Sequence, residues 1–336
     1  MIKSFNMLLS CAVMCGIIFP QDPPDPPDAV TKVGTSAANF LKVESGVRGI
    51  SMAGAQVAAG RGLSGVYYNP ASIAYIEGSE VYFAKTNLYA GITHNTLAYG
   101  TRLTPTDYFG LHLFYLNSGD MEVTTVPSPN GTGEYFNVLQ ISLRFIYGKQ
   151  LTDRLRVGGS LKYIREDIYT TFMHSFVFDL GSNFDTGIYG IMLGMSVSNF
   201  GPDVQFQGEG LQVEVDTDLD ISGYQQKITE KFSVPLVFRL GVQKDVELKG
   251  LLGSMHRLSV AMDAINPIDY TVHGGIGAEY SWNKLLFARG GLNWGHDTKG
   301  LSLGAGAKWK MIAIDAAYVN YGDLDKTLQF GISLEF

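Results

Sequence analysis

The chain has 336 residues, 46% of them hydrophobic and only 17% charged, against a usual charged share of about 25%. That composition excludes disorder and coiled coil. A net charge of −7, with no basic stripe interleaved with aromatics, excludes a general affinity for nucleic acid. With 40 Gly, 19 Phe, 18 Tyr and 3 Trp, the chain reads as turn-rich and aromatic-rich, and it is long enough to build one large closed sheet.

In chain order, residues 1–20 read as an export signal. Lys3 supplies the positive start, and Met7 to Phe19 is an apolar run too short to cross a bilayer of about 30 Å as a helix. Both cysteines, Cys11 and Cys15, fall inside it, so the exported chain carries no thiol, disulfide or cysteine metal site. Residues 21–38 form a Pro-rich linker whose prolines, from Pro23 to Pro27, impose extended geometry. Residues 39–78 are rich in Gly, Ala and Ser without sustained alternation, which predicts a compact plug or hatch. A short helix is expected over Ala53–Ala59, and Asn69-Pro70 marks a turn or helix start.

From Ser79 the period is two. Leu328, Phe330, Ile332, Leu334 and Phe336 alternate with Gln329, Gly331, Ser333 and Glu335, and the stretches around 139–148 and 301–309 alternate in the same way. Fourteen strands follow, at 79–89, 93–103, 108–118, 134–148, 155–167, 171–185, 188–200, 232–243, 257–266, 271–281, 284–295, 301–309, 311–320 and 328–336. No mature stretch is apolar for 18 residues, so a membrane protein with this sequence must be an all-β transmembrane antiparallel barrel over 79–336. Connections such as 104–107, 151–154, 186–187 and 282–283 are short, and those at 119–133 and 201–231 are long. That is the inside–outside asymmetry of outer-membrane barrels, broken only by a longer inner loop at 244–256.

Alternation assigns Arg144, Lys162, Asp179, Arg239, Asp263, Arg289, Lys308 and Asp315, with Glu335, to the lumen. Charge there is easier to satisfy than in lipid, where Arg or Lys at the midplane costs about 2–4 kcal/mol. Tyr99, Tyr147, Tyr163, Tyr280, Trp294, Trp309 and Tyr318 are candidates for aromatic girdles. The outer loop 201–231 holds seven acidic residues against Lys227 and Lys231. Within it, Asp216, Asp218 and Asp220 have the first spacing of a calcium loop. Ile221 and Lys227 then stand where Gly and the bidentate Glu are needed, so an acidic loop is the better reading.

The order Phe40-Leu41-Lys42, Gly46-Val47-Arg48-Gly49, Met52-Ala53-Gly54-Ala55 and Tyr68-Asn69-Pro70-Ala71 resembles the N-terminal signature of the PorV/PorQ family, itself similar to FadL-type outer-membrane barrels. It departs from that pattern at Arg61–Ser64, where members commonly carry acidic residues. The resemblance implies fourteen strands, a lumen occluded by a hatch bearing Gly46, Arg48, Gly49, Met52, Gly54, Asn69, Pro70 and Ala71, and residence in the outer membrane of a diderm bacterium, among its lipids. Phe336, ending an alternating strand, resembles the signal read by the barrel-assembly machinery.

No metal-binding, nucleophile-elbow or phosphate-loop motif occurs, and the six histidines lie on different strands and turns, where they read as solvated or satisfied. No enzyme activity, cofactor or metal is expected. The resemblance implies protein secretion or surface display, in which outer loops hold exported proteins that carry C-terminal sorting domains. The alternative is FadL-like passive transport of hydrophobic small molecules, with a lateral opening for which kinks at Pro235 or Gly274-Gly275 are candidates.

Overall fold

The computed structural model describes residues 32–215, 223–247 and 255–336. The export signal, most of the Pro-rich linker, the acidic run from Asp216 and part of the inner loop 244–256 lie outside the described residues.

Fourteen long strands form the wall: β1 (Ser79–Asn87), β2 (Thr93–Arg102), β3 (Asp107–Asn117), β4 (Val138–Gln150), β5 (Leu155–Ile168), β6 (Thr171–Asp185), β7 (Ile191–Phe200), β8 (Val237–Glu247), β9 (His256–Pro267), β10 (His273–Trp282), β11 (Leu286–Trp294), β12 (Leu301–Trp309), β13 (Ile312–Asn320) and β14 (Lys326–Glu335). Each pairs antiparallel with its sequence neighbours, and β14 pairs with β1 from Glu335↔Glu80 to Leu328↔Asn87, so the ring is closed. Closure leaves no strand of the wall without a partner on each side, which a bilayer requires.

The burial pattern is that of a soluble protein turned inside out. Along β14, Leu328, Phe330, Ile332 and Leu334 are exposed while Thr327, Gln329 and Ser333 are buried. The same outward apolar face recurs on β4 to β13, through residues such as Phe145, Phe178, Leu240 and Ile314, with Tyr99, Tyr147, Trp294 and Trp309 also exposed. Such a band is stable only against hydrocarbon, so the barrel spans a membrane, and its architecture is that of the outer membrane of a diderm bacterium. The short turns and the β1–β14 closure define the periplasmic end, and the long loops define the extracellular end.

Residues 32–78 lie inside the wall. They form a helical turn, α1 (Val47–Ile50), and 3-10 turns at Asn39–Lys42, Leu63–Gly65 and Pro70–Tyr75. The helix expected over Ala53–Ala59 is replaced by turns. Ala53 and Gly54 take left-handed backbone (φ 55° and 77°), and the amides of Gln56 and Val57 turn outward to a wall carboxylate instead of to a helix carbonyl.

Apolar side chains of this hatch, including Val47, Ile50, Leu63 and Ile73, cluster with wall residues Tyr82, Tyr108 and Ile146. Nearer the extracellular end, Phe40 and Leu41 pack with Phe114, Ile164 and Met173. The glycine excess, read from composition as turns, sits largely in mid-strand where hatch meets wall. A Cβ on Gly158 would lie 2.5 Å from the Ala71 nitrogen, and one on Gly275 would lie 2.1 Å from the Ala53 carbonyl. Gly110, Gly194 and Gly291 make equally close approaches on other strands.

Candidate functional site

Irregular backbone inside a barrel must have its polar groups satisfied locally, and the wall supplies the partners. Asp263 Oδ2 on β9 accepts from the amides of Gln56 (2.7 Å) and Val57 (2.8 Å). Glu80 on β1 accepts from Leu63 (3.0 Å), and Glu166 on β5 accepts from Ala38 (3.2 Å). Arg144 on β4 donates to the Val66 carbonyl, and Asn183 on β6 donates to that of Ala58.

Among the hatch-motif residues, Asn69 caps the Pro70–Tyr75 turn by accepting from the Ala71 amide, and its Nδ2 reaches the Ser182 carbonyl and Asn183 Oδ1 of β6. Arg48 makes a two-point ion pair with Glu279, at 2.8 and 2.9 Å. Gly46 and Gly49 leave room for the Ser64 carbonyl and the Tyr68 ring, and Met52 packs over Gly277 and Gly291.

The charged residues assigned to the lumen fall into three groups. Arg144, Lys162, Asp179 and Arg239 gather at mid-height. There Asp179 accepts from Lys162 (2.7 Å), Ser160 (2.9 Å) and the Asn199 amide (2.8 Å), with Arg144 at 3.5 Å. Asp263 serves the hatch amides alone. Arg289 joins Glu279 (2.6 Å) to Asp315 (2.5 Å) near the periplasmic end, where Lys308 pairs with Glu335. Phe336 closes the first turn of the ring, exchanging backbone hydrogen bonds with Ser79 at 2.7 and 2.9 Å.

Above the hatch, on the extracellular side, lies a cavity of about 330 Å³. Val237, Ile265 and Pro267 give it an apolar wall, and Tyr67, Tyr270, His273 and His296 give it an aromatic one. His273 and His296 meet edge to face with centroids 5.2 Å apart, and Tyr270 sits 5.4 Å from His296. Glu44 holds the rim together, pairing with Lys299 (2.5 Å) and accepting from Tyr68 Oη (2.8 Å).

Burial raises the Glu44 carboxyl and the Lys299 ammonium beside it outweighs that, leaving Glu44 below its ordinary value; burial, with the Glu44 charge adding to it and Arg239 opposing, pushes Tyr67 up to about 12. Burial, then the Lys299 and His273 charges, lower His296 to about 4, so its ring is neutral at pH 7. The cavity therefore presents aromatic faces, with the Glu44–Lys299 pair, Lys42 and Asp297 also lining it and the Arg239 guanidinium 5.4 Å from the centre of the Tyr67 ring.

Next to it the wall is irregular. The β6–β7 ladder slips between Phe178 and Leu180, and Asn199 takes left-handed backbone (φ 65°) with its amide turned to Asp179. Beyond Phe178 the ladder stops until Gln207–Gly208 rejoin β6 at Thr171–Phe172. Below that gap, where β6 to β9 are paired, a depression of about 480 Å³ lies on the membrane side, bounded by Leu180, Met195, Phe238 and Leu240, and its floor includes Arg239 of β8, which also lines the extracellular cavity. The wall irregularity is thus at β6–β7 and not at the expected kinks. The β9–β10 ladder runs unbroken through Gly274 and Gly275, and Pro235 precedes β8, where its carbonyl accepts from Asn199.

These features define a closed membrane barrel with an internal hatch, an aromatic outer cavity and a seam in the wall. Solved structures with this fold include the CymD monoaromatic hydrocarbon channel (13% identity, TM-score 0.57, 87% of this chain and 97% of that one). A Pseudomonas aeruginosa FadL homologue matches at 12% identity and TM-score 0.54, over 87% and 98% of the two chains. The Pseudomonas putida toluene transporter TodX matches at 13% identity and TM-score 0.54, over 86% and 96%. No family model and no curated protein matches the sequence. The fold is therefore the FadL-type outer-membrane barrel.

Proposed function

We propose that the protein is a passive outer-membrane channel for hydrophobic small molecules. A ligand settles first among Tyr67, Tyr270, His273 and His296, then leaves past Arg239 and the β6–β7 seam. The observation that carries this reading is the break in the β6–β7 ladder beyond Phe178, beside the β7 residue Ser198 to which the cavity residue Arg239 donates. A cavity of about 330 Å³ has the size of a small-ligand site, and its aromatic and apolar walls suit an aromatic guest. The fold relatives described as a toluene transporter and a monoaromatic hydrocarbon channel support the same direction. The hatch blocks the straight path, so passage needs the seam, and no group in the cavity is arranged for bond-making.

The test is uptake of radiolabelled toluene by cells expressing the protein, against cells expressing an Ile265→Trp variant that fills the cavity. Uptake should rise above the empty-vector level with the native chain and fall back to it with the variant. Uptake equal in the two would refute the reading. The second reading, a shuttle for exported proteins with C-terminal sorting domains, draws its support from the hatch residues Gly46–Ala71; copurification of such proteins with the barrel would favour it. In either role Phe336 serves as the terminal signal for the barrel-assembly machinery.

A further inference from the structure

Beneath the hatch, at the periplasmic mouth, two adjoining cavities of about 790 and 580 Å³ share Phe287, the cations Arg48, Arg61, Lys284, Lys308 and Lys310 and the carboxylates Glu77 and Glu279. Most charges here cancel. Arg48 and Arg289 share Glu279, Arg289 also holds Asp315, Lys308 holds Glu335 and Arg257 holds Asp245.

Arg61 is different. Its guanidinium donates to the Ala58 and Gly60 carbonyls and to Gln243, and among the described residues it has no carboxylate partner. It stacks 4.0 Å from the centre of the Tyr75 ring, and the guanidinium of Arg156 lies 4.3 Å from the same centre, its Nε on the Ala74 carbonyl. Two cations thus share one ring with no anion described between them. The Tyr75 hydroxyl, shut off from solvent, has no hydrogen-bond partner. Lys284 and Lys310, at the apexes of the β10–β11 and β12–β13 turns, form no ion pair among the described residues and line the same mouth, where Glu77 and the main-chain carboxylate of Phe336 are the lining carboxylates outside the pairs and hatch contacts already named. Ile76, Phe287, Ala307 and Ala313 add an apolar strip.

We propose that this mouth binds a small organic anion from the periplasmic side, its carboxylate or phosphate drawn to Arg61, Lys284 and Lys310 and its apolar body lying on Phe287 and Ile76. Charge that is unpaired in the protein, concave surroundings and an apolar strip are together what such a ligand needs. The site is separate from the outer cavity and independent of the uptake proposed above.

The experiment is calorimetric titration of the purified full chain in zwitterionic detergent with benzoate, its neutral isostere benzamide and inorganic phosphate. Benzoate should bind saturably and benzamide should not. Arg61→Gln should weaken benzoate at least about tenfold, as loss of one charge-assisted contact does. Displacement of benzoate by phosphate assigns the site to phosphate-bearing ligands as well, and failure to displace assigns it to carboxylates; the site stands in both cases. Because Arg61 also braces hatch carbonyls, a Lys284→Gln/Lys310→Gln variant, altered only on exposed turns, provides the second arm and should weaken benzoate several-fold. Equal binding of benzoate and benzamide, no saturable benzoate binding, or unchanged affinity in both variants would overturn the proposal. Toluene uptake, which this site does not serve, should be unaltered in the lysine variant whichever way the titration falls.

Discussion

Removing the Asp263 carboxylate should unlatch the hatch. Asp263 Oδ2 is the acceptor for two consecutive hatch amides, at 2.7 and 2.8 Å, and the residue is fully buried. In Asp263→Ala both amides lose their acceptor, and a buried donor left unpaired costs about 1–3 kcal/mol, or about 2–6 kcal/mol for the two together. A midrange loss of about 4 kcal/mol raises the undocked population on the order of 1,000-fold. Asp263→Asn is the matched control. One oxygen receives both amides and the other has no partner, so an amide oriented with its oxygen toward the hatch retains both contacts. The assay is single-channel recording in planar bilayers: frequent openings in Asp263→Ala, near-native silence in Asp263→Asn. Closed traces from a folded Asp263→Ala barrel would show that this latch does not hold the hatch.

Further outcomes follow from the same geometry. Gly158→Leu places side-chain atoms where the Ala71 amide lies, and should lower stability by at least about 1–3 kcal/mol, read as a lower temperature for loss of the compact band in heat-modified electrophoresis. Lys299→Met should destabilise more than Lys299→Met/Glu44→Gln, because the single change strands a buried carboxylate; a double-mutant cycle by the same assay reads the coupling. His296 titrates near 4 in the folded protein and near 6.5 unfolded, so between those values the unfolded chain binds the extra proton. Stability should therefore rise with pH through about 4 to 6.5 and level off above it. His296→Gln should flatten that slope in pH-dependent unfolding. Truncating Phe336 should slow assembly, followed as the fraction of heat-modifiable barrel in outer-membrane preparations.

The wall was legible because its physics is periodic. Leu328 to Phe336 can face lipid on one side only if they alternate, and the same rule located all fourteen strands and separated short turns from long loops. The hatch sequence was legible as non-strand, but its internal turns were not. Ala53 and Gly54 leave helical geometry because a wall carboxylate more than 200 residues away claims the next amides, and no local pattern encodes that. The outer cavity was illegible for a related reason. Glu44, Tyr67, His273, His296 and Lys299 are brought together by ring closure, and histidines read singly looked solvated or satisfied. One available signal was missed. Glycines at inward-facing, mid-strand positions such as Gly158, Gly275 and Gly291 are the imprint of a close-fitting body inside the barrel, whereas total glycine content suggested only turns.

The route of residues 32–78 through the barrel constrains how the protein is made. Ser36 bridges Ser233 and the Ala37 amide bonds the Ser233 carbonyl in the extracellular loop region, yet Ser79 opens β1 at the periplasmic end. The segment thus runs the length of the lumen like an axle through a wheel, with less clearance at Gly158 or Gly275 than a single carbon atom. An axle that tight cannot be threaded into a finished wheel. The sheet must wrap around it before the ring closes, and a short peptide grafted ahead of Ser36 would be carried out to the cell surface as the ring shuts.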